Sequence, residues 1–285
     1  MNKFIQKLQL LVNYINENLS EPLSLVQLSK HVGISQFHLH RLFSTYVNQP
    51  LRQYIQHKRL ERAAYQIYFR EYDITDIAFN AGYQSLEAFS RAFKQIFTQS
   101  PRDYRKQPIL KPWLNKKERD QKVEQMIYNQ NFDVTITNFK QTLIATYRHQ
   151  GNPENLMASV QHFIQWRRAH HTPPSKSKTF NLLFSDPNET EPAEFIFDIG
   201  AETKSKISDA EYKIFTQVIP QMRCAKLTYQ GADQGMSEAL NYLYGHWLAN
   251  SSEEVADFPC IIERVTMYPD VPKHQATMYI YLPLK

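Results

Sequence analysis

Arg41 and Arg91 lie fifty residues apart, each inside a run of apolar residues with helical spacing, FHLHRLF and FSRAFK. Arginine can donate two parallel hydrogen bonds to guanine O6 and N7 in a major groove, or make one strong contact to a phosphate; a base contact contributes about 1–3 kcal/mol of discrimination. One such residue is as readily an ordinary surface arginine, but two at matching places on matched helices favour a reader of nucleic acid. A third candidate is Glu263, in CIIERV. A carboxylate among apolar strand residues is costly unless it is paired or hydrogen-bonded. Set among aromatic faces it suits an organic cation, which ring quadrupoles and the carboxylate both attract. It equally suits a salt bridge to Arg264 or a distant lysine, or a place facing water. The chain shows no Ser/His or Cys/His nucleophile arrangement and no metal-ligand spacing, so no catalytic residue, metal or cofactor is expected. Cys224 and Cys260 read as two reduced core thiols.

The elements that must position the two arginines repeat. LSKHVGISQFHLHRLF and IAFNAGYQSLEAFSRAF each read as a short helix, a glycine and a second helix, with Gly33 and Gly82 two of only seven glycines in 285 residues. Glycine tolerates positive φ, ends one helix and lets the next leave at a steep angle, as in a helix-turn-helix. Ser24 with Gln27 reads as a capping box, Asp73, Ser35 and Ser85 as N-caps, and Ser100-Pro101 as the start of a last helix, PRDYRK. Leu51 to Phe69 reads as one long connecting helix. In the first unit Leu39, Leu42, Phe43 and Tyr46 should be buried, leaving Gln36, Phe37, His40, Arg41 and Ser44 exposed. In the second, Phe89, Ala92, Phe93 and Ile96 should be buried, leaving Leu86, Glu87, Ser90, Arg91 and Lys94. Phe37 and Leu86 suit thymine methyls or sugar edges, or packing within the domain.

Charge divides the chain in the same place: residues 1–120 carry a net +8 and residues 121–285 a net −3. The positive half suits double-stranded DNA, and no apolar run approaches the length needed to cross a membrane, so a soluble, cytoplasmic protein is expected.

Residues 1 to about 107 resemble the AraC-type DNA-binding domain, through LSKHVGIS, FHLHRLF, YIQHKRLERAAY and above all DIAFNAGYQSLEAFSRAFKQIFTQSPRDYRK. The resemblance implies two helix-turn-helix units whose second helices enter major grooves about one helical turn apart, so that one chain reads an asymmetric site as a monomer or weak dimer. It places Phe37, His40 and Arg41, then Leu86, Glu87, Ser90 and Arg91, at base-reading positions, and RNA polymerase among the partners. Asn48 and Thr98 stand where the family usually has Gly, and Thr tolerates positive φ poorly, so the turn after the second recognition helix should differ slightly. Leu86 and Glu87 replace residues that are often polar.

After a polar stretch, the periodicity turns to strands: FDVTITNF, TLIATYRH, TFNLLFS, EFIFDI, MRCAKLTY, CIIERVTMY and QATMYIYLPL. ATYRHQGNPENLMASVQHFIQW resembles AKLTYQGADQGMSEALNYLYGHW, each a strand, Gln-Gly and a helix bearing Trp, followed by two strands. The expected fold is therefore multidomain: an all-α double helix-turn-helix domain at 1–108, a linker at 109–131, and at 132–285 an α+β domain of two duplicated strand-helix-strand-strand units with a ligand groove between helices and sheet. Residues 132 to 285 resemble the GyrI-like effector-binding domain, through TYRHQG, YQGADQGMSEALNYLYGHWL and the ending PCIIERVTMYPDVP to YIYLPL. That resemblance implies a small, lipophilic or cationic effector, with Glu263 at the strand carboxylate position and Trp247 at the helix tryptophan; Val265 replaces a frequent Tyr. Tyr147, Tyr229 and Tyr268 are further pocket candidates. The expected function is a DNA-binding transcriptional regulator that senses a small molecule. The alternatives are a C-terminal protein-docking module, or a weak hydrolase of small electrophiles with Glu263 as base and a tyrosine as acid.

Overall fold

The computed structural model describes residues 3–107, 132–187, 190–267 and 270–285. The linker expected at 109–131 and the candidate Tyr268 lie outside the described residues.

Among the described residues seven helices come first: α1 (Lys3–Glu17), α2 (Leu25–Val32), α3 (Gln36–Val47), α4 (Leu51–Phe69), α5 (Ile74–Asn80), α6 (Leu86–Phe97) and α7 (Pro101–Lys106). Their ends follow from local chemistry. Ser24 and Gln27 form a reciprocal capping box on α2, and Asp73, Ser85 and Ser100 accept from backbone N–H groups in the first turns of α5, α6 and α7. Ser35 differs from expectation, because its hydroxyl makes no cap bond and is buried without a partner. Gly33 takes the left-handed conformation at φ 60° between α2 and α3, and Gly82 takes φ 85° between α5 and α6. A Cβ on Gly82 would approach within 2.8 Å of an Arg59 guanidinium nitrogen. That guanidinium is tied to the Leu19 and Glu21 carbonyls. Position 82 therefore needs glycine for conformation and for space. Asn48 and Thr98 adopt the left-handed region too, at φ 54° and 63°, so the turn after α6 keeps the glycine-like path although its residue is β-branched.

The C-terminal half contains β1 (Val134–Phe139), β2 (Thr142–Gln150), α8 (Leu156–Ala169), β3 (Thr179–Leu183), β4 (Ile196–Glu202), β5 (Ser208–Asp209), β6 (Ile214–Ile219), β7 (Met222–Gln230), α9 (Met236–Asn241), β8 (Cys260–Arg264) and β9 (Thr277–Pro283). α9 runs on into a π-helical stretch, Tyr242–Trp247, and a final turn, Leu248–Asn250. All nine strands form one antiparallel sheet in the order β1-β7-β9-β8-β3-β4-β2-β6-β5. The sequences β2-α8-β3-β4 and β7-α9-β8-β9 follow the same element order. β1 precedes β2 in the chain but pairs with β7, while β6 precedes β7 but pairs with β2, so each half of the sheet is completed by a strand from the other.

The period-2 alternation of strands sorts side chains onto two faces. One face packs under the helices, with Ala145, Ile199, Ala201 and Ile214 beneath α8 residues Phe163 and Trp166, and Leu227, Ile262 and Ile280 beneath Leu240 and Leu243. The opposite face carries a second apolar cluster, including Phe139, Phe180, Leu182, Ile261 and Tyr281. The core that includes Leu240 and Ile262 continues without a break into the first helical unit, through Leu11, Leu28, Leu39 and Phe43. The second helical unit has its own core, built from Leu60, Ile67, Ile77, Phe89, Phe93 and Tyr104. The first unit is thus packed as one body with the sheet domain, and the second stands apart from that core.

Candidate functional site

The two reading helices start from equivalent N-cap positions, Ser35 and Ser85, which pairs Gln36 with Leu86, Phe37 with Glu87, His40 with Ser90, Arg41 with Arg91 and Ser44 with Lys94. Their surroundings differ. On α6, Glu87, Arg91 and Lys94 are exposed and Ser90 is half-buried, while Leu86 packs against the core of its own unit. On α3, Gln36 is exposed but the expected open stripe is covered: His40 is 4% exposed and the Arg41 side chain only 13%. The covering groups belong to the C-terminal half. Arg41 Nη1 lies 3.4 Å from Asp186 Oδ2, and His40 Nε2 lies 4.0 Å from the same oxygen. Phe37 meets Phe184 edge to face at 5.5 Å. His38, which the helical spacing did not single out, is fully buried and engaged at both ring nitrogens, by the Tyr244 hydroxyl at 2.8 Å and the Ala256 carbonyl at 3.1 Å. Burial lowers His38 to about 3, with the neighbouring His40 adding to the effect. His40 falls to about 4, chiefly through burial and then Arg41, with Asp186 acting in the opposite direction.

Glu263 sits on the sheet face away from the helices. Its register partners are Phe180 on β3 and Tyr279 on β9. The residue is 7% exposed. One carboxylate oxygen accepts from the Tyr281 hydroxyl at 2.8 Å, and the other pairs with Lys178 Nζ at 2.8 Å. Lys178 reaches solvent, so this end of the site is open to it. The bond to Glu263 raises the Lys178 ammonium above its ordinary value, and burial together with the Glu263 charge drives the Tyr281 phenol well up. Both shifts keep the protons on Lys178 and Tyr281, so the carboxylate faces a cation and a phenol that donates to it. Beside them Lys226 Nζ lies 3.5 Å from the centre of the Tyr279 ring. Phe139 packs against Tyr281 at 5.0 Å and Phe180 at 6.0 Å. This is a carboxylate within an aromatic bed, and two lysines of the chain already occupy its cation-attracting positions.

The other ligand candidates are elsewhere. Tyr147 pairs with Ile199 and packs under α8 beside His162, on the helical face. Tyr229 pairs with Met278 on that same face, and its buried hydroxyl donates to the Ala232 carbonyl. Trp247 packs against the core under the helices. Strand alternation puts Tyr147 and Tyr229 on the face opposite Glu263, Trp247 packs into the core on that helical side, and core side chains occupy the space between helices and sheet, where the ligand groove was expected. Arg264 does not pair with Glu263 either, because the next residue on a strand points the other way; it bonds Asn181 and Asp233. Among the described residues no group of His, Cys, Asp and Glu could hold a metal ion, and no helix is long and apolar enough to cross a membrane.

Residues 132–285, more than half of the chain, match the GyrI-like small molecule binding domain. The chain belongs to that family. Residues 28–107 match a helix-turn-helix domain, of the AraC type. The GyrI-like half is similar to the probable transcriptional regulator YgiV of Escherichia coli, at 29% identity over 157 residues covering 55% of this chain and 98% of that one. The helical half is similar to the regulatory protein SoxS of Salmonella typhimurium, at 39% over 100 residues covering 35% of this chain and 94% of that one. Among solved structures, the cryo-EM structure of the EcmrR-DNA complex in EcmrR-RPo covers 92% of this chain and 98% of its own, at 15% identity and a TM-score of 0.45. In this chain's GyrI-like domain, Glu263 with Lys178, Tyr281 and the neighbouring rings lies on the helix-free face of the sheet.

Proposed function

We propose that this chain is a sequence-specific DNA-binding transcriptional regulator whose GyrI-like domain senses a small, lipophilic or cationic molecule on the helix-free face of its sheet. The observation that carries the reading is the state of Glu263: a nearly buried carboxylate in an aromatic bed, balanced by the solvent-exposed Lys178 rather than by an arginine. An organic cation with flat apolar surface can take the place of the Lys178 ammonium, keep the charge balance and add ring contacts to Tyr279, Tyr281 and Phe180. Its binding changes DNA occupancy only so far as it favours one arrangement of the chain over another. The reading assigns DNA contact to Gln36, Phe37, His40 and Arg41 on α3 and to Leu86, Glu87, Ser90, Arg91 and Lys94 on α6. It takes 1–108 and 132–285 as the working domains, the cytoplasm as the location and RNA polymerase as a partner at the promoter. The reading assigns Glu263 to ligand binding and gives it no catalytic role.

The test is a thermal-shift screen of the full chain against lipophilic cations, bile acids, dyes and drugs, with Glu263→Gln in parallel. Dose-dependent stabilisation by a cation that the variant loses supports the reading. A flat response to every class overturns the sensing half of it and directs the search to protein partners of the same domain.

A further inference from the structure

The burial of α3 has a consequence for the DNA reading above, on which this inference rests. A helix enters a major groove about 12 Å wide only if its reading face is free, and the face of α3 that matches the open face of α6 is enclosed by the C-terminal half. The enclosing groups come from separate parts of the chain: Phe184 and Asp186 beyond β3, Tyr244 in the π-helical stretch, and Ala256 ahead of β8. A second ion pair, Arg52 to Glu191, holds the start of α4. Two of these contacts set a carboxylate of the C-terminal half against an arginine of the positively charged half. Both ring nitrogens of His38 are met by C-terminal groups, so the fit is that of a socket rather than a graze.

We propose that the C-terminal domain is a mask for the first reading helix: the structure is a closed state in which α6 is free to meet DNA and α3 is not, and the C-terminal domain and DNA compete for the same face of α3. The effector site is connected to the mask through β3. Phe180 and Leu182 share one face of β3, Lys178 just before the strand pairs with Glu263, and Phe184 just after it meets Phe37. Between them lies the apolar cluster that also contains Ile261 and Tyr281, with Phe184 packed against it. A ligand that displaces Lys178 from Glu263 thus acts on the strand that holds Phe37. Because only the open fraction of molecules can engage two grooves, the apparent affinity for a two-groove site is reduced by that fraction.

The experiment uses the full chain and a duplex recovered with it from a random-sequence pool. Tyr244→Phe combined with Phe184→Ala removes two socket contacts without changing charge and replaces none of the proposed DNA-contact residues. Two readouts are taken: the rate at which diethyl pyrocarbonate modifies His38, followed by mass spectrometry against exposed His171, and duplex affinity by fluorescence anisotropy. In the wild type free of DNA, His38 is expected to react at least tenfold more slowly than His171. The double variant is expected to remove most of that difference, tighten duplex binding about tenfold and extend nuclease protection from one major groove to two. If the double variant fails to fold, Asp186→Asn provides the same two readouts. Wild-type His38 that reacts as fast as His171 overturns the mask, as does an unmasked His38 with duplex affinity unchanged within twofold. Failure of every form to bind DNA above background at low salt is a different outcome: it overturns the DNA-binding reading, and the mask with it.

Discussion

Lowering the pH from 7.5 to 5.5 should release α3 from the C-terminal domain. The closed arrangement admits His38 and His40 only as neutral rings, with burial holding them at about 3 and about 4. His38 faces Tyr244, the Ala256 carbonyl, His40 and Arg41, and His40 faces Arg41 and Asp186. Tyr244 in turn bonds Cys260, and burial raises both of those groups, so neither titrates between pH 7.5 and 5.5. Once released, each ring regains an ordinary value near 6.5. The folded values are depressed, so the contact is at full strength above pH 6.5 and weakens as pH falls below it, until the rings protonate in place near 4 and 3. One unit below 6.5 a free imidazole is protonated about ten to one, so each ring shifts the balance about tenfold toward release. Two rings give about a hundredfold, or about 2.7 kcal/mol, between pH 7.5 and 5.5. Energy transfer between a dye on α2 and one on β5, in the absence of DNA, reads opening without the added attraction of protonated histidines for phosphate. Replacing His38 and His40 together with Gln should flatten the pH profile. The reasoning is refuted if transfer is constant from pH 7.5 to 5.5 in the wild type, or if the histidine-free variant opens with the same profile.

Further expectations concern the fold and the sites. Thr98→Gly should stabilise the second helical unit by about 1 kcal/mol, because a β-branched residue now holds φ 63°, and this should appear as a melting-temperature rise of a few degrees. Gly82→Val should do the reverse and by more, since strain at φ 85° is joined by the clash with Arg59. Arg148→Met should destabilise the sheet domain by about 3 kcal/mol in chemical denaturation. It strands the fully buried Asp198 carboxylate, which Arg148 holds through two bonds of 2.8 Å. Arg91→Ala should cost about 1–3 kcal/mol on the selected duplex, and an equal loss on random DNA would assign Arg91 to phosphate alone.

Local chemistry was legible in the sequence where a residue acts on its own neighbours. The glycine turns, the Ser24–Gln27 box, the caps by Asp73, Ser85 and Ser100, and the long helix α4 all follow from residues within four positions of one another. The AraC-type and GyrI-like resemblances rested on such local runs. What depended on long-range pairing was less legible. β6, IFTQVI, is not among the expected strands: it is a short run, although β-branched, and its partner β2 lies about seventy residues earlier. Tyr147 and Tyr229 were grouped with Glu263 by aromatic character, whereas counting alternate positions along paired strands puts them on the other face. Lys178 and Tyr281 reach Glu263 from two other strand regions, and neither stands among the expected site residues although Tyr281 lies within the YIYLPL run. The covered face of α3 was unreadable from helical spacing, because an amphipathic stripe reports one buried face and is silent on a second one supplied by another domain. A histidine at position 38, beside the expected core residue Leu39 and on neither the expected buried stripe nor the expected open one, is the hint the sequence offers.

The most direct test of the regulator reading is hydroxyl-radical and nuclease footprinting of the full chain on a duplex selected from a random pool, with Arg91→Ala and Tyr244→Phe/Phe184→Ala beside the wild type. The account predicts that a sequence emerges from the selection, that α6 protects one major groove, and that the unmasked variant adds a second about one helical turn away on the same face. Recovery of no preferred sequence, or a footprint that is indifferent to Arg91 and to the unmasking substitutions, would contradict it.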